Sequence, residues 1–129
     1  EEVLLNRAEA LAQKNRITEA IADVQTLANK RYSGNINTIT ITDLRNFYGV
    51  GTIPTISNRA VVIEYVINER RREFITQGMR WYDIKRFEIP VEHVLVDGST
   101  VHLEDDDLRK VLQIPTSAVD VAGLKPNPR

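Results

Sequence analysis

The chain has 129 residues, no cysteine, and seventeen basic against eighteen acidic residues for a net charge of −1. That balance gives no bulk attraction to nucleic acid or to an anionic membrane surface, and the missing cysteine removes disulfides, thiolate nucleophiles and cysteine-ligated zinc. The longest apolar run, Ala60 to Ile63, is far short of the roughly 18 residues that a membrane-spanning helix needs.

From Glu2 to Lys14 the apolar positions Leu4, Leu5, Ala8, Leu11 and Ala12 fall on one helical face. Asn15 and Arg16 make a turn, and Thr18 is the expected N-cap of a second helix reaching about Lys30. Ile17, Ala20, Ile21, Val24, Leu27 and Ala28 supply its buried face, with Ile17 placed as a hydrophobic staple. The two helices are expected to fold back antiparallel. Ala8 and Ala20 let them approach closely, at the spacing of a tetratricopeptide repeat. Arg7 stands where such repeats usually carry an aliphatic residue and Tyr32 where they often carry proline. One repeat cannot bury its own outer face, since about three make a stable stack.

Ser33 to Ser57 is an irregular excursion rich in Thr, Asn, Gly and Ile. Alternation around Ile39 and Ile41 predicts a short strand from Thr38 to Thr42, after which Thr42 or Asp43 caps a helical turn through Phe47. Gly49, Gly51 and Pro54 then make a loop, and loops this long are often functional. Arg45, Asn46, Phe47 and Tyr48 form the candidate ligand-binding group. An aromatic face stacks on the CH groups of a sugar while amide and guanidinium donors meet its hydroxyls. The plainer reading is that both rings anchor the loop to the core, the commoner use of aromatic side chains.

Asn58 is expected to cap a long helix that Gly78 ends in a left-handed conformation, before a short helix from about Arg80 to Phe87. Ile63, Val66, Ile67 and Phe74 make the apolar stripe of the long helix, with Arg70 near its middle and Arg71 at its edge. A guanidinium there is costly unless a carboxylate meets it. Arg70 is therefore expected to be buried and bonded to Glu9, Asp83 or another carboxylate. Trp81, Ile84 and Phe87 point the short helix at the core, while Arg80, Asp83 and Arg86 share its other face. Together with Glu69, Arg72 and Glu73, these charges predict an ion-pair lattice joining the two helices. Interleaved carboxylates argue against a nucleic-acid patch, and neighbouring arginines hold the carboxylates ionised, against acid-base catalysis.

Val91 to Glu104 predicts a β-hairpin about a two-residue Asp97-Gly98 turn, which would set His93 opposite His102. Two imidazoles alone do not make the four-ligand set of a structural zinc site, so no metal is expected. The acidic run Asp105 to Asp107 lacks the spacing of a calcium loop and suits a solvated or helix-capping turn. Leu108 to Ile114 fits a short strand ended by Pro115, with Thr116 or Ser117 capping a brief turn and Pro126 and Pro128 keeping the tail extended.

The run Glu69-Arg70-Arg71-Arg72-Glu73-Phe74, followed by Gly78-Met79-Arg80-Trp81-Tyr82-Asp83-Ile84-Lys85-Arg86-Phe87, resembles the signature of the SusD/RagB family. The tail segments Leu112-Gln113-Ile114-Pro115 and Gly123-Leu124-Lys125-Pro126-Asn127-Pro128 resemble that family's closing segment. The resemblance implies a mainly α fold, with a tetratricopeptide-like helix pair (1–32), an irregular excursion (33–57), the long and short signature helices (58–87), and a small β-hairpin with an extended tail (88–129). It implies a non-catalytic, cofactor-free, lipid-anchored nutrient-binding protein of the Bacteroidetes outer membrane, which hands a glycan or other nutrient to a SusC-like TonB-dependent transporter. Glu69, Arg70, Arg80, Trp81 and Asp83 carry over as scaffold. Family members begin with a lipoprotein signal ending in Cys, and the chain opens on Glu1-Glu2-Val3 inside a helical pattern. It is thus expected to be the C-terminal part of a longer protein. A tetratricopeptide-type scaffold for peptides is the alternative, and a remote glycosidase would need two carboxylates about 5 to 9 Å apart in a cleft.

Overall fold

A computed structural model describes residues 1–34 and 36–127. The chain divides into two compact units, and the boundary falls after Gln77, inside the 58–87 segment.

The first unit is helical. α1 (Glu2–Gln13) and α2 (Ile17–Arg31) form the expected antiparallel pair, and α4 (Asn58–Glu73) packs against both, while α3 (Ile41–Phe47) rests on α4. Helical periodicity placed most of the core: Leu5, Ala8 and Ala12 of α1 meet Ala20, Val24 and Leu27 of α2 and Val66 and Ile67 of α4, all buried, but Val61 and Val62 are buried where Ile63 was expected, and Ile63 is only half-buried. Ala8, Ala12 and Ala20 have no exposed surface at all, so their small side chains set how closely the backbones approach. Arg7 occupies its unusual position by reaching Asp23, a carboxylate only 7% exposed, through paired bonds of 2.7 Å from Nε and 2.6 Å from Nη2. A charge so enclosed is tolerable only with such a partner.

Several helix starts differ from expectation. α2 begins at Ile17 with Arg16 in the cap position, just after Asn15 turns the chain with a left-handed φ of 59°. Thr18 is thereby placed inside the helix rather than at its cap, and Arg16 reaches forward to Glu19 instead. No strand forms at 38–42. Thr40 instead caps α3 in a reciprocal box, its hydroxyl accepting from Asp43 N at 3.2 Å while the Asp43 carboxylate accepts from Thr40 N at 2.9 Å. Ser57, not Asn58, caps α4, its Oγ accepting from Ala60 N at 3.1 Å. Asn58 is the first helical residue, and its side-chain oxygen is taken by Arg45 at 3.1 Å. α4 also stops four residues earlier than Gly78 would have it: Phe74 N closes the last turn on Arg70 O at 3.0 Å, and Thr76 then takes a φ of 68°.

In the second unit Gly78, with a φ of 73°, opens rather than closes a helix, α5 (Met79–Arg86). The hairpin of β1 (Val91–Val94) and β2 (Thr100–Leu103) is present, but its register is shifted by one residue. Leu95 N bonds to Ser99 O at 2.7 Å, so three residues, Val96, Asp97 and Gly98, make the connection. The cause is the Asp97 carboxylate, which accepts from Ser99 N at 2.9 Å and from Ser99 Oγ at 2.6 Å and draws Ser99 into the turn. His93 therefore faces Val101, and His102 faces Glu92. The two imidazoles lie on opposite faces of the ribbon.

Leu108–Lys110 forms a 3-10 turn instead of a strand, capped by Asp107, whose carboxylate accepts from Arg109 N at 2.8 Å. Lys110 is buried and donates to the carbonyls of Ile89 and Asp105, both at 3.0 Å. α6 (Thr116–Ala122) follows Pro115, which occupies the cap position given to Thr116 or Ser117, and Gly123 ends it at a φ of 61°. The tail returns to Leu112, whose carbonyl accepts from Asn127 Nδ2 at 2.7 Å. Among the described residues, the buried side chains of this unit are Asp83 and Lys110, and no apolar side chain joins them.

Candidate functional site

α3 borders two concavities of the first unit: of the candidate ligand-binding group, Arg45 and Asn46 line one and Phe47 the other, while Tyr48 lines neither. Arg45 and Asn46 face the loop, lining a hollow of about 420 Å3 with Thr52, Ile53 and Pro54. Arg45 holds that loop in shape: it donates to the carbonyl of Gly51, to Ile53 O at 2.6 Å and to Ile56 O at 2.8 Å, besides Asn58. Its donors are thus engaged with backbone, which explains how a glycine-rich segment without regular structure stays ordered. Asn46 is exposed, and its carbonyl accepts from Gly49 N at 3.0 Å.

Phe47 lies on the other side. Its ring is 68% exposed and stands edge-on to Tyr48, with centroids 5.1 Å apart and an interplanar angle of 86°. Tyr48 is half-buried, and its hydroxyl accepts from Asn68 Nδ2 at 3.2 Å. Burial, ahead of that bond, keeps its phenol pKa above the ordinary value. The anchoring role expected of both rings thus falls to Tyr48, and Phe47 is left presented to solvent.

Phe47 borders a cleft of about 520 Å3 whose other walls include Tyr32, at the end of α2, and Tyr65, Glu69 and Arg72 of α4, with Asp43 at the start of α3 and the apolar Ile39 and Leu44. Tyr65 is half-buried, and loss of hydration pushes its phenol pKa up to about 12. Glu69 and Arg72 pair with each other across one turn. Neither Tyr32 nor Tyr65 was expected in a binding site from the sequence, yet a signal is there: Tyr65, Glu69 and Arg72 stand four and three residues apart, the spacing of one helix face.

The signature residues are distributed as follows. Arg70 is 4% exposed, donates to the Asn6 side-chain oxygen and lies 5.4 Å from the centre of the Phe74 ring. Glu9 is buried in α1, and Arg71 is exposed. Glu73 is engaged by Arg31 at the end of α2, with Nε bonds of 2.9 and 3.0 Å, and Arg31 also reaches Glu1 at 3.0 Å. This joint between α1, α2 and α4 was not foreseen, because Arg31 lay outside the expected lattice. In α5, Asp83 is 1% exposed and accepts from Arg86 at 3.0 Å, while Arg86 covers the Phe87 ring at 4.5 Å. Trp81, Ile84 and Phe87 are half-buried, and one guanidinium nitrogen of Arg80 is enclosed without a hydrogen-bond partner among the described residues.

The chain belongs to the SusD family, whose model matches residues 2–121. It is similar to SusD-like protein P38 of Formosa agariphila, with 33% identity over 91 residues, which are 70% of this chain. Those residues amount to 16% of that relative, so the chain spans a small part of its length.

Proposed function

We propose that the chain is part of a non-catalytic glycan- and nutrient-binding protein of the cell surface, which delivers its ligand to a SusC-like TonB-dependent transporter in the outer membrane. Its parent protein is held there by a lipid anchor, and no cofactor takes part. The observation that carries this reading is the family match across residues 2–121. The presented Phe47 ring beside polar side chains supports it, since stacking plus hydrogen bonds is how a protein holds a sugar without reacting with it. A peptide-binding tetratricopeptide array would continue the helix-pair period. The chain instead leaves it after Arg31 for an irregular passage and the seven-residue α3.

The test is retention of the intact protein on immobilised polysaccharides, with release of reducing sugar assayed in parallel and membrane extracts probed for a co-purifying transporter. Retention without hydrolysis and with a TonB-dependent barrel is the expected result. Failure to retain any glycan, or release of reducing ends, overturns the reading.

A further inference from the structure

We propose that the cleft between α3 and α4 is a subsite for one neutral pyranose unit of a glycan, with Phe47 as its stacking platform. This rests on the glycan-binding reading and assigns that reading a place in the chain. The cleft lies wholly within the first unit, and its volume of about 520 Å3 falls among those of small-molecule sites.

Its two outer walls are aromatic and wet. Phe47 is 68% and Tyr32 64% exposed, although large aromatic rings generally gain by burial. The Phe47 ring stands edge-on to Tyr48, a contact that favours this placement of the ring. Tyr65 offers a phenol that is protonated throughout the neutral range, as an ordinary tyrosine is. A neutral phenol both donates and accepts, as a sugar hydroxyl does.

The rim decides the charge of the ligand. Asp43 and Glu69 bring two carboxylates and Arg72 one guanidinium, a formal sum of −1. Arg72 is already held by Glu69, and Asp43 by the Thr40 cap. A uronate or sulfate ester would enter a field of its own sign with no uncommitted cation among the described residues of the rim to receive it. A neutral pyranose meets fixed donors and acceptors instead, without a charge to compensate.

The experiment is calorimetric titration of the intact protein with neutral oligosaccharides (cello-, xylo- and malto-oligomers) and with uronate-containing and sulfated oligomers of similar length. Phe47→Ala and Tyr65→Phe are titrated beside it, with circular dichroism verifying that each variant is folded. The expected result is binding of a neutral oligomer that weakens about tenfold in Phe47→Ala, the scale of one lost aromatic contact, and by a smaller factor in Tyr65→Phe. Glycan binding that is indifferent to Phe47→Ala, or a preference for the anionic oligomers, overturns the subsite and leaves the broader function standing. No binding of any glycan by the unmodified protein overturns both.

Discussion

Single residues carry most of the electrostatic design of this chain. Arg70 sits in the apolar stripe of α4 because its guanidinium is met by the Asn6 amide and by the Phe74 ring. Truncation to alanine should therefore lower stability by on the order of 2 to 4 kcal/mol, the range for breaking a buried polar network, measured by urea unfolding. Arg71→Ala, on the exposed side of the same helix, should stay within about 0.5 kcal/mol of the parent. Asp107 gives a pH-dependent case. Hydrogen bonds from the Arg109 side chain, ahead of its backbone amide, lower its pKa from 3.8 to about 2. The folded value is the depressed one, so the stability it contributes is complete above pH 4 and disappears as pH falls toward 2. The Asp107 carboxyl resonance, followed by NMR, should titrate near pH 2, and Asp107→Asn should remove that dependence.

At the scale of elements, legibility tracked how local the deciding interaction is. The α1 and α2 helices were readable because apolar periodicity alone places Leu5, Ala8, Ala20 and Val24 inward. The start of α3 was misplaced because an alternating Thr-Ile run imitates a strand, while the reciprocal Thr40 and Asp43 bonds favour a helix start. Thr40→Ala should accordingly cost about 1 kcal/mol, visible as a lower thermal midpoint. The hairpin was foreseen but its register was not, since one carboxylate, that of Asp97, adds a residue to the turn. The end of α3 looked like a ligand site because Phe47 and Tyr48 are flanked there by Arg45 and Asn46. Its arginine ties the backbone of the following loop together. Arg45→Ala should free residues 49–56, raising their amide hydrogen exchange while α1 and α2 keep their protection. The cleft at Tyr65 was missed because its residues come from three elements far apart in the chain, and only the α4 contribution has a periodic signature.

For the whole molecule, the two units differ in what holds them. Every buried apolar side chain described, from Leu5 to Phe74, belongs to the first. A chain ending at Gln77 should consequently retain the helical circular dichroism of α1 to α4 and unfold cooperatively. The segment from Gly78 onward, made alone, should not, because a short hairpin with both faces wet is marginal in water. The backbone just before the boundary adds a further consequence. Thr76 keeps a φ of 68° although its side chain branches at Cβ, a conformation that costs an L-residue roughly 1 to 2 kcal/mol. Glycine at that position would let the tension go, giving a tougher first unit.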